Sequence, residues 1–329
     1  MQAERLRYKE PMGQILTYAG LRGLGALATM LVGTLAVFLV MKAAPGDPAL
    51  IALGDFANPQ AIAAFNAEKG LDQPVFAQYL AWLTRALQFD FGESLTVAGG
   101  QRIGDLLLFR LPNTFFIGAL AILIALAIAL AVGISAAVWR GTTIDTTATS
   151  AAVFGISMPD FWLAYILILT FSIGLGWFPS YGFMSPSDSL LGAFQSGFLP
   201  ALAIAAPMAA VFARTLRTAL LENISKDYVT AARSFGFKPR FVFVHYILRN
   251  SLIPFIVIVG LQVRYLLGGV VVIERIFGIN GVGSLMIDAA FSRDYFVVQA
   301  CTVVFLAIVL AVNFIVDVVC ALLDPKRTR

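Results

Sequence analysis

Basic and very small residues meet in one stretch of this chain. "DYVTAARSFGFKPRFVFVHYILRNSLIP", residues 227–254, follows Lys226 and carries Arg233, Lys238, Arg240 and Arg249. Ala231 and Ala232 add almost no bulk beside those charges, so another surface can approach the backbone closely while the cations attract acidic groups. That is the chemistry of docking, not of bond making. Ser225 can cap a helix over "KDYVTAARSF", Gly236 supplies the freedom to end it, and Pro239 can open a second one, so the stretch reads as helix, turn, helix. A solvated basic loop of a membrane protein has the same composition, and the residues alone leave both readings open.

Catalytic chemistry has little to work with. The one histidine, His245, lies in the same stretch. No HExxH pair is present to hold zinc, and no carboxylate dyad falls inside an apolar span, so no catalytic and no metal-ligating residue is predicted. Nor is there a GxxxxGK[ST] loop to cradle phosphate. The glycine-rich "GINGVG", residues 278–283, reads as a turn that lets the chain re-enter a surface. Cys301 and Cys320 lie nineteen residues apart in one predicted helix, roughly 28 Å at the helical rise, which is too far for a disulfide.

Asp160 in "SMPDFWLAY" and Arg264 in "GLQVRYLLGG" are charges lying deep within apolar stretches. Intramembrane charges are costly and are functional suspects by default. Counted from the inner ends of their spans, near Asp145 and Asn250, they lie about 22 and 21 Å deep at ~1.5 Å per residue. At a shared level they either pair with each other or face a path taken by substrate; a misplaced span boundary is the third reading.

The elements that must position these residues are membrane helices. Hydrophobic residues make up 59% of the 329 and charged ones only 13%, far from the composition of a soluble domain. Six spans are predicted, at about 22–42, 111–138, 146–175, 199–221, 252–273 and 300–322, since about 20 apolar residues cross the hydrocarbon and only helices satisfy the backbone there at such lengths. With the N-terminus inside, fifteen Lys and Arg lie on the inner side and seven on the outer, which predicts that both termini are cytoplasmic. The apolar run Gly23–Met41 is longer than a signal-peptide core and reads as the first span. The net charge of +4 is sorted to one side, so it marks topology and no nucleic-acid partner. In the outer segment 43–110, "AQYLAWLTRALQ" predicts an amphipathic helix with Tyr79, Leu80, Leu83 and Leu87 along one side. It either packs on the protein's own outer surface and the lipid interface or docks a soluble partner.

"DYVTAARSFG" followed by "LRNSLIP" resembles the signature cytoplasmic loop of ABC-importer permeases, in the form found in the dipeptide/oligopeptide branch. The likeness extends over nearly the whole chain: "APGDPA" after the first span, then "GLDQPVFAQYLAWL", "DFGESL" and "RLPNTF", and later "GGVVVIERIFGINGVGSLMIDAAFSRDY" and "VNFIVDVVCALLDP". The resemblance implies an all-α integral membrane protein of the type I ABC importer permease fold in the bacterial inner membrane. It divides the chain into a cytoplasmic segment 1–21, a first helix 22–42, an outer (periplasmic) loop 43–110, a five-helix core 111–322 containing the cytoplasmic loop 222–251, and a tail 323–329. That loop would be a coupling helix seated in a cytoplasmic ATPase, with Thr230, Ala231, Ala232 and Gly236 on its small-residue signature and Arg249, Asn250 and Pro254 on its closing segment. Implied partners are a second homologous permease, two ATPase subunits that bind ATP and Mg, an extracytoplasmic binding protein and lipid; this chain itself would bind no cofactor. Peptides are the implied cargo, with glutathione, nickel complexes, opines and oligosaccharides also carried in the branch. Asp160 and Arg264 depart from the branch pattern, where a small or apolar residue and a glycine are more usual, as do Asn280 and Phe296, which replace common prolines. Asp317 matches the branch's usual ending and reads as structural. A membrane enzyme lacks its chemical inventory here, and an ion-coupled carrier would need carboxylates on several spans.

Overall fold

Prolines and capping side chains punctuate the start of the chain into helices of very different length. The computed structural model describes residues 10–323, and the side chains of 17–319 other than 264 and 267. Helix α1 (Glu10–Ala43) stops before the "APGDP" turn, where Asp47 accepts from Ala49 N at 2.9 Å and so caps α2 (Pro48–Leu53). Asn58 caps α3 (Pro59–Lys69) in the same way, and α4 (Val75–Ala86) follows. The long helix α5 (Ile103–Val138) begins inside the outer segment and carries Pro112 in its interior. Next come α6 (Thr143–Ser157), then α7 (Asp160–Leu167) running on through a π-helical turn to Gly174, then α8 (Leu190–Ile224). Two short helices, α9 (Asp227–Ser234) and α10 (Pro239–Val242), lead through a second π-helical stretch into α11 (Arg249–Phe277). The chain closes with α12 (Val282–Phe291) and α13 (Tyr295–Leu323).

Five of these stretches are long and apolar enough to cross a bilayer: Thr17–Ala43, Ile103–Val138, Leu190–Ile224, Pro239–Val263 and Tyr295–Val319. Two bent pairs add to them. The predicted span 146–175 is not one straight helix: α6 and α7 meet at 107°. Pro159 has no N–H to donate and pushes Met158 into extended backbone (φ −86°, ψ 128°), which ends α6 where a continuous helix was expected. The end of α11 and α12 meet at 80° across the glycine-rich turn.

Small residues decide how the helices pack. Helices α5 and α8 run parallel, with Ile117 beside Gly197 and Gly133 against Ala213 and Leu216. Ala121, Ala125 and Ala129 of α5 and Ala201, Ala205, Ala209 and Ala213 of α8 are all buried. Stripes of alanine and glycine let the two backbones approach closely, the usual basis of helix association in lipid. Helix α11 runs antiparallel to α5, since Leu266 lies on Gly118 and Glu274 reaches Thr114. Helices α1 and α13 also pair antiparallel, Gly33 against Leu306 and Gly23 against Phe314, with Arg22 bridging to Asp317 at 3.4 Å. One end of the bundle therefore carries the outer segment and the starts of α5 and α8. The other carries the 139–142 turn and α9–α10.

Candidate functional site

Helix α9 hangs from the ends of α8 and α11 on a chain of side-chain hydrogen bonds. Tyr228 donates its hydroxyl to Asn223 Oδ1 at 2.5 Å, and Asn223 Nδ2 donates to Ser251 Oγ at 3.1 Å. Ser251, fully buried, donates to the carbonyls of Ala219 or Ile247, while Asn250 Nδ2 donates to Tyr246 O at 2.7 Å and reaches the Tyr228 hydroxyl at 3.3 Å. Val229 and Ala232 anchor the inner face of α9 in the core. The small size of Ala232 is thus used inside this chain, and it is Thr230, Ala231 and Arg233 that face out.

Gly236 ends α9 with φ +79°, its N–H bonded to Arg233 O at 3.0 Å, and nothing lies within 4 Å of where a Cβ would project. Its requirement is conformational, not spatial. On either side Phe235 (82% exposed) and Phe237 project outward, and Phe241 stacks on His245 at 4.2 Å between ring centres. Lys226, Arg233, Lys238, Arg240 and Arg249 are exposed, and none has an ion-pair partner among the described residues. Pro254 lies further on, exposed in the first turns of α11. Exposed cations without ion-pair partners thus surround protruding aromatic rings at this end of the bundle. The aromatic contribution has a signal in "SFGFKPRF", where Phe235, Phe237 and Phe241 flank the turning glycine.

At the same end, Arg217 of α8 grips Asp145 of α6 with two bonds, Nε to Oδ1 at 2.6 Å and Nη2 to Oδ2 at 2.8 Å. Gly141 N adds a third at 3.0 Å. Sequence reading used these residues only to count charges and mark a boundary.

Asp160 opens α7 directly after the bend, so its carboxylate faces the amide-rich end of that helix. It lies against Gly269 of α11, and a Cβ there would come within 2.7 Å of Oδ2. Position 269 is five residues beyond Arg264, or about 7.5 Å along the helix. The bend at Pro159 means that the third span is not the straight helix from which the depth of Asp160 was counted. The Arg264 backbone is helical within α11, and its side chain lies outside the described residues.

The structure also brings together a site that sequence reading missed. Glu274, fully buried, accepts from Thr114 Oγ1 at 2.6 Å and from Ser284 N at 3.0 Å. Thr114 Oγ1 in turn accepts from Val282 N at 2.9 Å, and Asn113 Nδ2 donates to Asn280 O at 2.9 Å. The turn from Gly278 to Gly283 wraps the carboxylate so closely that a side chain at Gly281 or Gly283 would collide with it. "GINGVG" is a turn wrapped around a carboxyl group supplied by its own chain. The acid four residues ahead of a glycine run was the available signal.

In the outer segment, α4 packs on the protein's own first helix: Tyr79 and Trp82 bury against Phe38, and the Tyr79 hydroxyl lies 3.1 Å from that of Thr34. The buried face is Gln78, Tyr79 and Trp82, and Leu80 and Leu87 of the expected stripe point outward. Asp294 staples the loop to the start of α13, accepting from Ser94 Oγ at 2.7 Å and Thr96 N at 2.9 Å.

A bundle of helices, several of them long and apolar enough to cross a bilayer, defines a multi-pass membrane protein. The chain belongs to the family of binding-protein-dependent transport system inner membrane components, whose model matches residues 129–329, with the family's N-terminal model matching 15–96. It is a permease of an ABC importer, in a family whose members are not themselves ATPases and which works with ATPase and substrate-binding partners. A putative peptide transport system permease protein of Brucella abortus (strain 2308) is 37% identical over 302 residues, 92% of this chain and 95% of the relative. The oligopeptide transport system permease protein AppB of Bacillus subtilis (strain 168) is 36% identical, covering 93% and 97%. The glutathione transport system permease protein GsiC of Salmonella choleraesuis (strain SC-B67) is also 36% identical, covering 94% and 98%. Among solved structures, an inward-facing crystal form of the MetNI methionine ABC transporter shares the fold, with a TM-score of 0.54 at 20% identity over 67% of this chain and 96% of that one.

Proposed function

We propose that this chain pairs with a second homologous permease to form a path across the inner membrane for peptides released by an extracytoplasmic binding protein. The names of the relatives, peptide, oligopeptide and glutathione permeases, support a peptide cargo. In this reading the chain crosses six times, with the α6–α7 pair as one bent crossing and α12 as a re-entrant turn, and both termini lie in the cytoplasm. The antiparallel pairing of α1 and α13 supports that arrangement.

Two ATPase subunits carry ATP and Mg; this chain has no phosphate loop and binds no cofactor of its own. The observation that carries the mechanism is the hydrogen-bonded seat of α9. Thr230, Ala231, Arg233, Gly236, Lys238 and Arg240 meet the ATPase surface, while Tyr228, Asn223, Asn250 and Ser251 tie that surface to α8 and α11. Closure of the ATPases displaces α9 as a rigid lever, and α8 and α11 follow, switching access from one side to the other. Asp160 and Arg264 line the path in this scheme, where a carboxylate and a guanidinium suit the two charged termini of a peptide.

The experiment is reconstitution of the complex in liposomes with a photo-crosslinking residue in place of Phe235. Crosslinking to an ATPase subunit, with ATP-dependent dipeptide uptake, is expected. Uptake by this chain without ATPase subunits would favour an ion-coupled carrier, and an active complex with no such crosslink would remove α9 from the docking surface.

A further inference from the structure

At the end of the bundle opposite α9, the outer helices stand off from α1 and α13 and enclose a cleft of about 570 Å³. A second cavity of about 320 Å³ adjoins it, sharing Phe38, Leu71, Gln78, Phe296 and Gln299 in its walls. The floor is aromatic, with Phe38, Trp82 and Phe91 all buried. Two amides lie beneath it, and they differ. Gln78 is fully engaged: its Nε2 donates to the carbonyls of Leu71 (2.8 Å) and Gln73 (2.7 Å), and its Oε1 accepts from Lys42 at 3.0 Å. Gln299 is only 4% exposed and borders both cavities, yet its Nε2 has no acceptor among the described residues. A buried donor left unmatched costs roughly 1–3 kcal/mol, so the site calls for an acceptor at that position.

The rim repeats the pattern. Lys69 is tied to Glu68 at 3.1 Å and Glu93 at 3.2 Å. Arg85 and Arg102 also line the cleft, and neither has an ion pair or side-chain hydrogen bond among the described residues. An unmatched amide donor, two unpaired guanidiniums and an aromatic floor together describe one kind of guest.

We propose that this cleft binds a small organic carboxylate bearing an apolar side chain. The carboxylate meets Arg85 and Arg102, the apolar group rests on Trp82 and Phe91, and an acceptor oxygen of the same molecule takes the Gln299 proton. Inorganic phosphate has nothing to place on the aromatic floor, and a lipid headgroup is the other source of an anion. The site goes beyond the proposed transport role, because it lies off α7 and α11 and its occupancy requires no transport.

Ala81 lines the cleft and is exposed, which makes it a reporter. The assembled importer, in phosphatidylcholine nanodiscs, carries Ala81→Cys with Cys301→Ala and Cys320→Ala, and maleimide labelling of this chain is timed by mass spectrometry. Leucyl-phenylalanine at millimolar concentration is expected to slow labelling at least fivefold, and its C-terminal amide is expected to have no effect. Protection is expected to vanish in Arg85→Ala/Arg102→Ala, two exposed positions, and in Gln299→Leu; should the latter not assemble, the arginine variant decides. Equal protection by the amide, protection that survives loss of both arginines, or no protection at all would overturn the proposal. So would protection by phosphatidylglycerol in the disc without dipeptide, which would assign the cleft to a lipid phosphate.

Discussion

The Tyr228 hydroxyl and Asn223 Oδ1 lie 2.5 Å apart, joining α9 to the last turn of α8. Asn223 passes the connection to Ser251 of α11, so two membrane helices share one polar knot from which α9, the proposed docking helix, hangs. A force on α9 reaches both helices without crossing a flexible loop. Tyr228→Phe removes the donor and keeps the ring. A loss of about 1 kcal/mol should lower solute transported per ATP roughly fivefold in proteoliposomes, while ATPase subunits still co-purify. An unchanged ratio would mean that coupling runs through packing alone.

Gly236 stands at φ +79° in open space, so the cost of replacing it is set by the backbone. Gly236→Val should destabilise the turn by about 1–2 kcal/mol, and Gly236→Asn by less, because asparagine tolerates the left-handed region. The expected readout is a graded loss of bound ATPase on purification, Val before Asn. Ala231→Trp should also release the ATPase, whereas Ala232→Trp should first lower the yield of the folded permease, since Ala232 faces inward.

Glu274 holds the glycine turn through Thr114 and Ser284. Glu274→Ala strands both donors, at roughly 1–3 kcal/mol each, and Glu274→Gln retains one acceptor oxygen. Thermal unfolding of the detergent-solubilised chain should show a lower midpoint for Gln and a much lower one for Ala. Gly281→Ala should resemble Glu274→Ala, because the added methyl occupies the carboxylate's place.

The Asp145–Arg217 pair joins α6 to α8 with two parallel bonds. Asp145→Arg and Arg217→Asp should each reduce assembly, and the double exchange should recover part of it. Recovery will be incomplete because an arginine at 145 cannot accept from Gly141 N. A double variant no better than either single one would show that the pair does not act through its charge.

Asp160 rests on Gly269, which has no side chain to displace it. Gly269→Val should lower transport as far as Asp160→Ala does, with the complex intact in both. If Asp160 and Arg264 serve structure alone, the double alanine variant should recover assembly and transport together; if they touch cargo, assembly alone should return. Single cysteines at 160 and 264 in a cysteine-free background should label from water in at least one nucleotide state.

Much of the candidate site was legible before any coordinates. The basic stretch, its turning glycine and Pro239 are local signals, and α9 and α10 fall where they point; the expected serine cap does not form, because Ser225 Oγ donates back to Glu222 O and Lys226 stands at the N-cap. The site's polar knot was not legible. Tyr228, Asn223 and Ser251 are ordinary residues in a sequence, and they gain a role only when the ends of α8 and α11 come together.

Membrane residence, all-helical structure and the lack of a phosphate loop follow from the sequence by itself, because each depends on composition or on a short contiguous motif: about 20 apolar residues make a span wherever they occur. Pro159 is a local signal of a break, but the predicted span 146–175 runs through it, and the bend comes only with the structure. The angle of that break, 107°, is read only from the structure. Which of Ala231 and Ala232 faces the core, which side of α4 is buried, and that Glu274 closes on Thr114 from 160 positions away were decided by the tertiary structure. A buried polar group must find its partner in space, and sequence separation carries no information about where that partner lies.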